Sequence, residues 1–246
     1  MRLFPYLAFS SLTLLLLAGA CTTSRYYTPN TMQVPMLGGA GEGTVSAGFT
    51  KDGDDSGYEF QGIYSPLPHL GLMVQHFNLR YEGTTYADFT SSFSASPYKG
   101  HSRLTEAGLG GYMSVGPQKE YLISLFGGYG QGRTENRYSP PLDMPGTETY
   151  NSHWSYQRFF VQPALGMKYR RFQVGTGLRF AWVNFYDGVI NSRVGILETQ
   201  RIELLEGTSP LFLTEMVWTI GWRLRPVVIK VNSTGVVRGK KSIQEL

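Results

Sequence analysis

The chain has 246 residues, of which 14% are aromatic, 30 are glycine and only 16% are charged, against about 25% charged residues in a typical soluble domain. Its formal net charge is +4, with the basic residues scattered apart from Arg170-Arg171 and a short run at 238–241, so we expect no nucleic-acid binding. A single cysteine excludes an internal disulfide, so burial and hydrogen bonds must hold the fold together.

The amino terminus carries an export signal. A lone Arg2 precedes an apolar run at 12–20 that ends at Cys21, and this run is shorter than the roughly 20 residues of a spanning helix. The sequence at 17–21 resembles a bacterial lipobox, which predicts cleavage after residue 20 and lipidation of Cys21 with palmitate or a similar acyl chain. Ala18-Gly19-Ala20 also fits ordinary signal cleavage, so a plain signal peptide remains the alternative.

The mature chain divides into three parts. Residues 21–42 are rich in Tyr, Pro, Thr and Gly without a period, which predicts a lipidated, extended linker. Residues 43–225 carry the strand patterns of a barrel, and residues 226–246 form a predicted periplasmic carboxy-terminal tail.

Two segments, Gln157–Tyr169 and Phe172–Phe185, alternate apolar and small or polar residues over a dozen positions or more. Soluble strands average about five or six residues, whereas strands of this length cross a bilayer when tilted. In a weaker pattern at Leu70–Tyr81 the apolar parity changes, which predicts a β-bulge near Gln75-His76. The other weaker patterns lie at 43–49, 58–65, 105–115, 121–132 and 212–224.

These patterns predict an all-β fold, an antiparallel up-and-down transmembrane β-barrel of about eight strands. The predicted links alternate in length, as expected for short periplasmic turns and long extracellular loops. The short links are 66–69, 116–120 and 170–171, and the longer ones are 51–57, 82–104, 133–155 and 187–209.

One face of the clearest strands is too apolar to leave in water, whereas a soluble ligand-carrying barrel of the lipocalin type would have an apolar interior. The opposite face should point into the lumen, where charges of both signs can pair beside small glycines and leave no open pore. The predicted lumen network comprises Glu106, Lys168, Arg179, Glu215 and Arg223. Aromatic residues near strand ends predict interfacial girdles: Tyr64, Tyr81, Tyr121, Tyr169, Trp182, Trp218 and Trp222.

The segments Tyr27-Thr28-Pro29-Asn30, Val34-Pro35 and Gly41-Glu42-Gly43 open the mature chain. In this order before the first strand, they resemble the opening of small outer-membrane β-barrel lipoproteins of Bacteroidota-type bacteria. The resemblance implies fold and location, and its members generally lack an assigned activity.

Weak catalytic candidates lie in predicted outer loops, where a histidine could act as base toward a serine. They are His101 with Ser102 and Ser152 with His153, with Asp88, Asp143 and Glu148 near in sequence. Because polar loops often bring such residues together, a solvated surface is the better interpretation. The acidic residues Asp52, Asp54 and Asp55 lack the spacing of a calcium loop, so we expect no metal and no cofactor.

We therefore expect a monomeric protein of the Gram-negative outer membrane, with a non-enzymatic role in envelope structure, surface contact or support of a larger complex. Its partners would be outer-membrane lipid and other envelope proteins. The alternatives are an outer-membrane enzyme acting on lipid or peptide, and a narrow solute channel.

Overall fold

The computed structural model describes residues 32–52, 55–89, 92–139, 149–191, 206–207, 210–224 and 227–237. The predicted signal peptide, Cys21, the first part of the predicted linker and residues 238–246 lie outside the described residues, as do Asp54, Asp143 and Glu148.

The described chain forms one sheet of nine strands in which every neighbour in sequence is also a neighbour in space. All eight pairings are antiparallel, which confirms the predicted all-β, up-and-down topology. The strands are β1 (Gly43–Asp52), β2 (Asp55–Leu67), β3 (Leu70–Phe89), β4 (Ser92–Val115), β5 (Tyr121–Tyr138), β6 (Tyr150–Tyr169), β7 (Phe172–Asn191), β8 (Leu211–Leu224) and β9 (Val227–Val237).

The sheet curls strongly around its inner face. Arg179 on β7 lies 3.0 Å from Glu106 on β4, three strands away, which requires the sheet to bend until these strands face each other. In the described part of the chain, no pairing joins β1 to β9, so these strands form the two edges of a half-barrel.

The two ends of the sheet differ in how the strands are joined. At one end, here called the lower end, short links at 68–69, 116–120, 170–171 and 225–226 join the strands. At the opposite, upper end, two of the links are longer, at 139–149 and 192–210. The lower strand limits follow the sequence prediction closely, because proline and glycine interrupt the chain there.

The predicted long loops are wrong in one respect, since much of their length is strand. β3 and β4 continue as a paired hairpin from Glu82↔Lys99 to Phe89↔Ser92, and β6 begins at Tyr150 within a predicted loop. His101 and His153 therefore lie on strands. The ladder continues because Thr, Tyr and Ser at these positions sustain an extended chain without an apolar alternation.

The predicted tail at 226–246 begins with a strand, β9, which pairs with β8 from Leu224↔Val227 to Thr214↔Val237. β9 runs in the same direction as β1 and ends at the upper end of the sheet. The end of β9 therefore lies on the side of the long links, which contradicts a tail placed with the short turns.

The predicted bulge near Gln75-His76 is also wrong. The pairing of β3 with β2 is continuous from Tyr64↔Leu72 to Ser56↔Arg80, and its pairing with β4 is unbroken. What changes along β3 is the polarity of its two faces: Leu72 and Val74 point outward and Phe77 and Tyr81 point inward. The apparent parity shift therefore marks a boundary between two environments.

Candidate functional site

The outer face of the sheet carries a broad apolar surface, here called the outer band. Leu165 on β6 is 57% exposed and Leu109 on β4 is 63% exposed, although both are residues that globular proteins usually bury. Contiguous exposed apolar surfaces of this kind mark contacts with protein or membrane. The outer band includes Leu72, Val74, Leu109, Met113, Val115, Ile123, Leu125, Val161, Leu165, Leu178 and Ile220.

Aromatic side chains close the outer band at both ends. On β6, β7 and β8 the two flanking rings are ten residues apart: Phe159 and Tyr169, Phe172 and Trp182, Phe212 and Trp222. The upper rings Phe159, Trp182 and Phe212 are successive cross-strand partners. Tyr129 on β5 extends this row as the partner of Phe159. Ring centroids are 4.9 Å apart for Tyr129–Phe159 and 5.5 Å for Trp182–Phe212.

A single row of polar residues lies directly above the outer band, and we call it the boundary row. Its five members are cross-strand partners on β3 to β7, and His76 is 2.9 Å from the hydroxyl of Thr105. Above it the outward face of β3 to β6 becomes polar, while Phe77, Leu104, Tyr156 and Phe185 are buried inside. The boundary row consists of His76, Thr105, Gln131, Gln157 and Asn184.

A cluster of four charged side chains lies inside the sheet, here called the ion cluster: Glu106, Arg158, Arg179 and Glu215. Arg179 donates to Glu106 at 3.0 Å, and Arg158 lies 3.3 Å from Glu106 and also pairs with Glu215. All four are at most 1% exposed. Two positive and two negative charges balance, as burial of ions requires.

Neighbouring groups complete the ion cluster. Gln162 accepts two hydrogen bonds from Arg179, at 2.9 and 2.6 Å, through its side-chain oxygen. The guanidinium of Arg179 also lies 4.3 Å from the ring centre of Phe160, a favourable cation–π distance. The cluster therefore links β4, β6, β7 and β8 across the interior.

The sequence prediction identified three of these four charges. The prediction misses Arg158, although this residue shares the inward parity of Gln162 along β6, which is the signal that could have found it. Lys168 is not part of the cluster: it lies at the lower end, 3.7 Å from Glu42. The side chain of Arg223 lies outside the described residues.

The interior below the ion cluster is filled by the residues before β1. Residues 32–37 are all buried against the inner face of the sheet, and Gln162 donates a hydrogen bond of 2.8 Å to the backbone oxygen of Gln33. The prediction of an extended linker is therefore wrong for this segment, here called the inner segment. It continues to Gly41, whose amide donates to the carbonyl of Ser65 at 2.8 Å.

Inward glycines provide the space that these groups occupy. A Cβ at Gly130 would lie 2.5 Å from Glu106, one at Gly128 would lie 2.5 Å from Phe160, and one at Gly175 would lie 2.5 Å from Met36 of the inner segment. Real Cβ atoms do not approach so closely. The predicted role of the inward glycines, to leave room for long side chains, is thus seen in these contacts.

Of the predicted girdle residues, four point outward at the lower end, each about half exposed: Tyr64, Tyr121, Tyr169 and Trp222. Tyr81 is different. It points inward, is 6% exposed and donates to Asn136 at 2.8 Å. Above the boundary row the outward positions of β3 are polar and its aromatic residues lie inside, which accounts for this error.

The catalytic candidates do not form histidine–serine pairs. Adjacent residues of a strand point to opposite faces, so Ser102 and Ser152 are buried inside while His101 and His153 lie outside. Ser102 is 3.1 Å from the hydroxyl of Thr134, and His101 is 2.9 Å from the side-chain oxygen of Asn78. Burial, together with Arg80 and Arg103, lowers the pKa of His101, with Glu135 opposing them. The side chain of Asp88 lies outside the described residues.

A cavity of about 680 Å³ opens at the upper ends of β3 to β6. Four basic residues line it, Arg80, Lys99, Arg133 and Arg137, with two acidic residues, Glu82 and Glu135. Lys99 pairs with Glu82 at 2.6 Å and Arg133 with Glu135 at 2.8 Å. The cavity therefore has an excess of positive charge.

Comparison with models of protein families and with curated proteins gives no match to the chain. Among the described residues, no three His, Cys, Asp or Glu side chains are grouped closely enough to hold a metal ion. No helix in the described part of the chain combines the length and apolar character needed to cross a bilayer.

Proposed function

We propose that the protein is an outer-membrane β-barrel lipoprotein with a non-enzymatic role in the envelope, supporting structure or contact at the cell surface. The observation that carries the proposal is the outer band with its two aromatic borders. Ten residues of strand extend about 33 Å, and a tilt of about 40° reduces this to about 25 Å along the membrane normal, the height of the apolar band on outer-membrane barrels.

The interior supports the same proposal. A soluble barrel would place its charges outside, whereas here four ions are buried inside directly behind exposed leucine, valine and phenylalanine side chains. This arrangement suits a sheet whose outer surroundings are less polar than its core. The inner segment and the ion cluster also occupy the space that a solute pathway would need, which favours a structural role over conduction.

The amino-terminal signal supports an envelope location, because lipidation of Cys21 would attach the chain to a membrane close to its inner segment. Only ten residues separate Cys21 from Met32, which is fully buried. The anchor would then hold the inner segment near the sheet that it fills.

A direct test uses natively extracted protein, run on a gel with and without boiling, with metabolic labelling by a palmitate analogue. We expect a band that shifts on heating and a label that disappears in Cys21→Ala. A water-soluble protein without a heat shift would contradict the membrane proposal, whereas a shifted but unlabelled band would remove only the lipid anchor.

The non-enzymatic part is tested separately with His101→Gln and His153→Gln. Lipid A composition and surface proteolysis should be unchanged in cells that carry either variant. A change in either chemistry would overturn the structural role and assign an activity to the upper end of β4 and β6.

A further inference from the structure

The outward face above the boundary row is basic on three adjacent strands, from two to six residues beyond the row. We call this surface the basic patch: Arg80 on β3, Lys99 and Arg103 on β4, and Arg133 and Arg137 on β5. Among the described residues, two acidic side chains form ion pairs with this patch: Glu82 pairs with Lys99, and Glu135 pairs with Arg133. Arg80, Arg103 and Arg137 form no ion pair with any described acidic residue.

The basic patch places like charges directly opposite each other. Arg103 and Arg133 are cross-strand partners, and so are Lys99 and Arg137. Directly opposed like charges destabilise a sheet, and this repulsion is relieved when an anion lies between them. The arrangement therefore favours a bound ligand with negative charge.

The position of the basic patch indicates that the negative charge comes from a lipid head group. Arg103 and Arg133 each lie two residues, about 7 Å of strand, beyond the boundary row. The outer band continues below them on the same strands through Leu109 and Leu125. A lipid with its acyl chains along the outer band would bring its head group to this height.

The cavity above the boundary row gives that head group room. Four of the five basic residues line it, and its volume of about 680 Å³ lies within the range of small-molecule sites. Asn151 and Ser56 on its wall offer neutral hydrogen-bonding groups for hydroxyls. Arginine forks match the oxygen atoms of phosphate.

We propose that the basic patch binds the phosphate groups of an acidic lipid head group in the leaflet at the upper end of the sheet, an inference that rests on the proposed membrane location. The acyl chains lie against the outer band. The phosphate groups contact Arg80, Arg103 and Arg137, the three basic residues of the patch that are not in an ion pair with Glu82 or Glu135.

The test measures lipid binding by the full-length, lipidated protein in detergent micelles. Native mass spectrometry would follow binding of bisphosphorylated lipid A and of the same lipid after both phosphates are removed. The variant Arg80→Gln/Arg103→Gln/Arg137→Gln should bind the phosphorylated lipid about 100-fold more weakly than wild type, at about fivefold for each basic residue near an anionic lipid.

A control variant, Lys119→Gln/Arg170→Gln/Arg171→Gln, removes the same number of charges from links at the lower end. It should retain wild-type affinity and preference. A heat-shifted band confirms that each variant is folded, and if the triple variant fails to fold, Arg103→Gln alone should show the fivefold loss.

The outcomes separate this inference from the proposed function. Two outcomes would contradict the lipid-binding proposal alone. One is a membrane-integrated wild type that does not prefer the phosphorylated lipid, and the other is a folded triple variant with unchanged affinity. If inorganic phosphate at equal concentration displaces the lipid completely, the ligand of the site is a free anion and the proposal of a lipid ligand is wrong. A water-soluble wild type overturns both proposals.

Discussion

The regions below and above the boundary row are built from the same strands but differ in the polarity of their outer face on β3 to β6. Below the row, leucines and valines face outward and ions are buried within; above it, Phe77, Leu104 and Phe185 are buried while Arg103, Arg133 and Ser155 face outward. The backbone ladder is continuous through the change. The difference lies in the side chains and not in the backbone, whose pairing is the same in both regions.

The largest effect should come from breaking the ion cluster below the row. Arg158→Met leaves Glu106 and Glu215 with one fewer buried cation, and removal of one partner from a buried pair costs about 3–5 kcal/mol. Urea unfolding in lipid vesicles would measure the loss. The exposed pair Arg133–Glu135 supplies the control, since Glu135→Gln should cost at most about 1 kcal/mol.

Equal losses for Arg158→Met and Glu135→Gln would contradict the distinction between a buried and an exposed ion pair.

A charge on the outer face should distinguish the two regions directly. Leu165→Arg lies in the outer band and should cost about 2–4 kcal/mol in a bilayer, whereas the same residue near an interface costs about 0–1. Ser155→Arg, outward on the same strand above the boundary row, is the matched variant. The free energy of unfolding of both would be measured in the same vesicles.

If the Leu165→Arg protein is as stable as the Ser155→Arg protein, the outer band is not in contact with an apolar environment.

Substitution of an inward glycine should lower the stability by a smaller amount. Gly128→Val forces a Cβ into Phe160, 2.5 Å away, and overpacking of this kind costs about 1–3 kcal/mol. Its neighbour Gly127 faces outward, where a Cβ meets only a backbone oxygen at 3.5 Å. Thermal loss of the heat-shifted band should therefore occur at lower temperature for Gly128→Val than for Gly127→Val.

If Gly127→Val is the less stable variant, the assignment of inner and outer faces on β5 is reversed.

The smallest effect concerns His101 above the boundary row. Burial and the neighbouring Arg80 and Arg103 hold its pKa below the ordinary 6.5, so the folded protein binds fewer protons than the unfolded chain. Its contribution to stability is complete above pH 6.5 and is lost as the pH falls through the lowered pKa. NMR titration of the imidazole should give a midpoint below 6.5, and Arg103→Gln should raise it.

A His101 midpoint at or above 6.5 in the wild type would contradict the burial and positive surroundings described for β4.

The sequence predicts the lower region better than the upper one, for physical reasons. Below the boundary row the outward face is apolar, so a period of two is visible, and turn residues such as Pro68 and Gly116 follow directly after the strands. Along β3 the apolar residues change from the outward to the inward face at this row, so the sequence of Leu70–Tyr81 predicts a bulge that the structure does not contain. The ladder of β4 begins at Ser92, well before the predicted start at Thr105.

The candidate site divides in the same way. Parity along β6 and β7 places Arg158 and Arg179 inside, so the ion cluster is accessible from sequence. The contact of Arg179 with Glu106 spans three strands and depends on the curl of the sheet. The inner segment has no period, and nothing in residues 32–37 distinguishes a linker from a chain that packs inside.

The odd number of strands has a consequence for how the protein reaches its final state. A meander of nine strands that starts at the lower end places the end of its last strand at the upper end, opposite to the start of its first strand. The residues that follow Val237 include Arg238, Lys240 and Lys241. In the membrane location that we propose, insertion of β9 would carry these cations across the hydrocarbon, so we expect the last crossing to be the step of assembly that depends most on other envelope components.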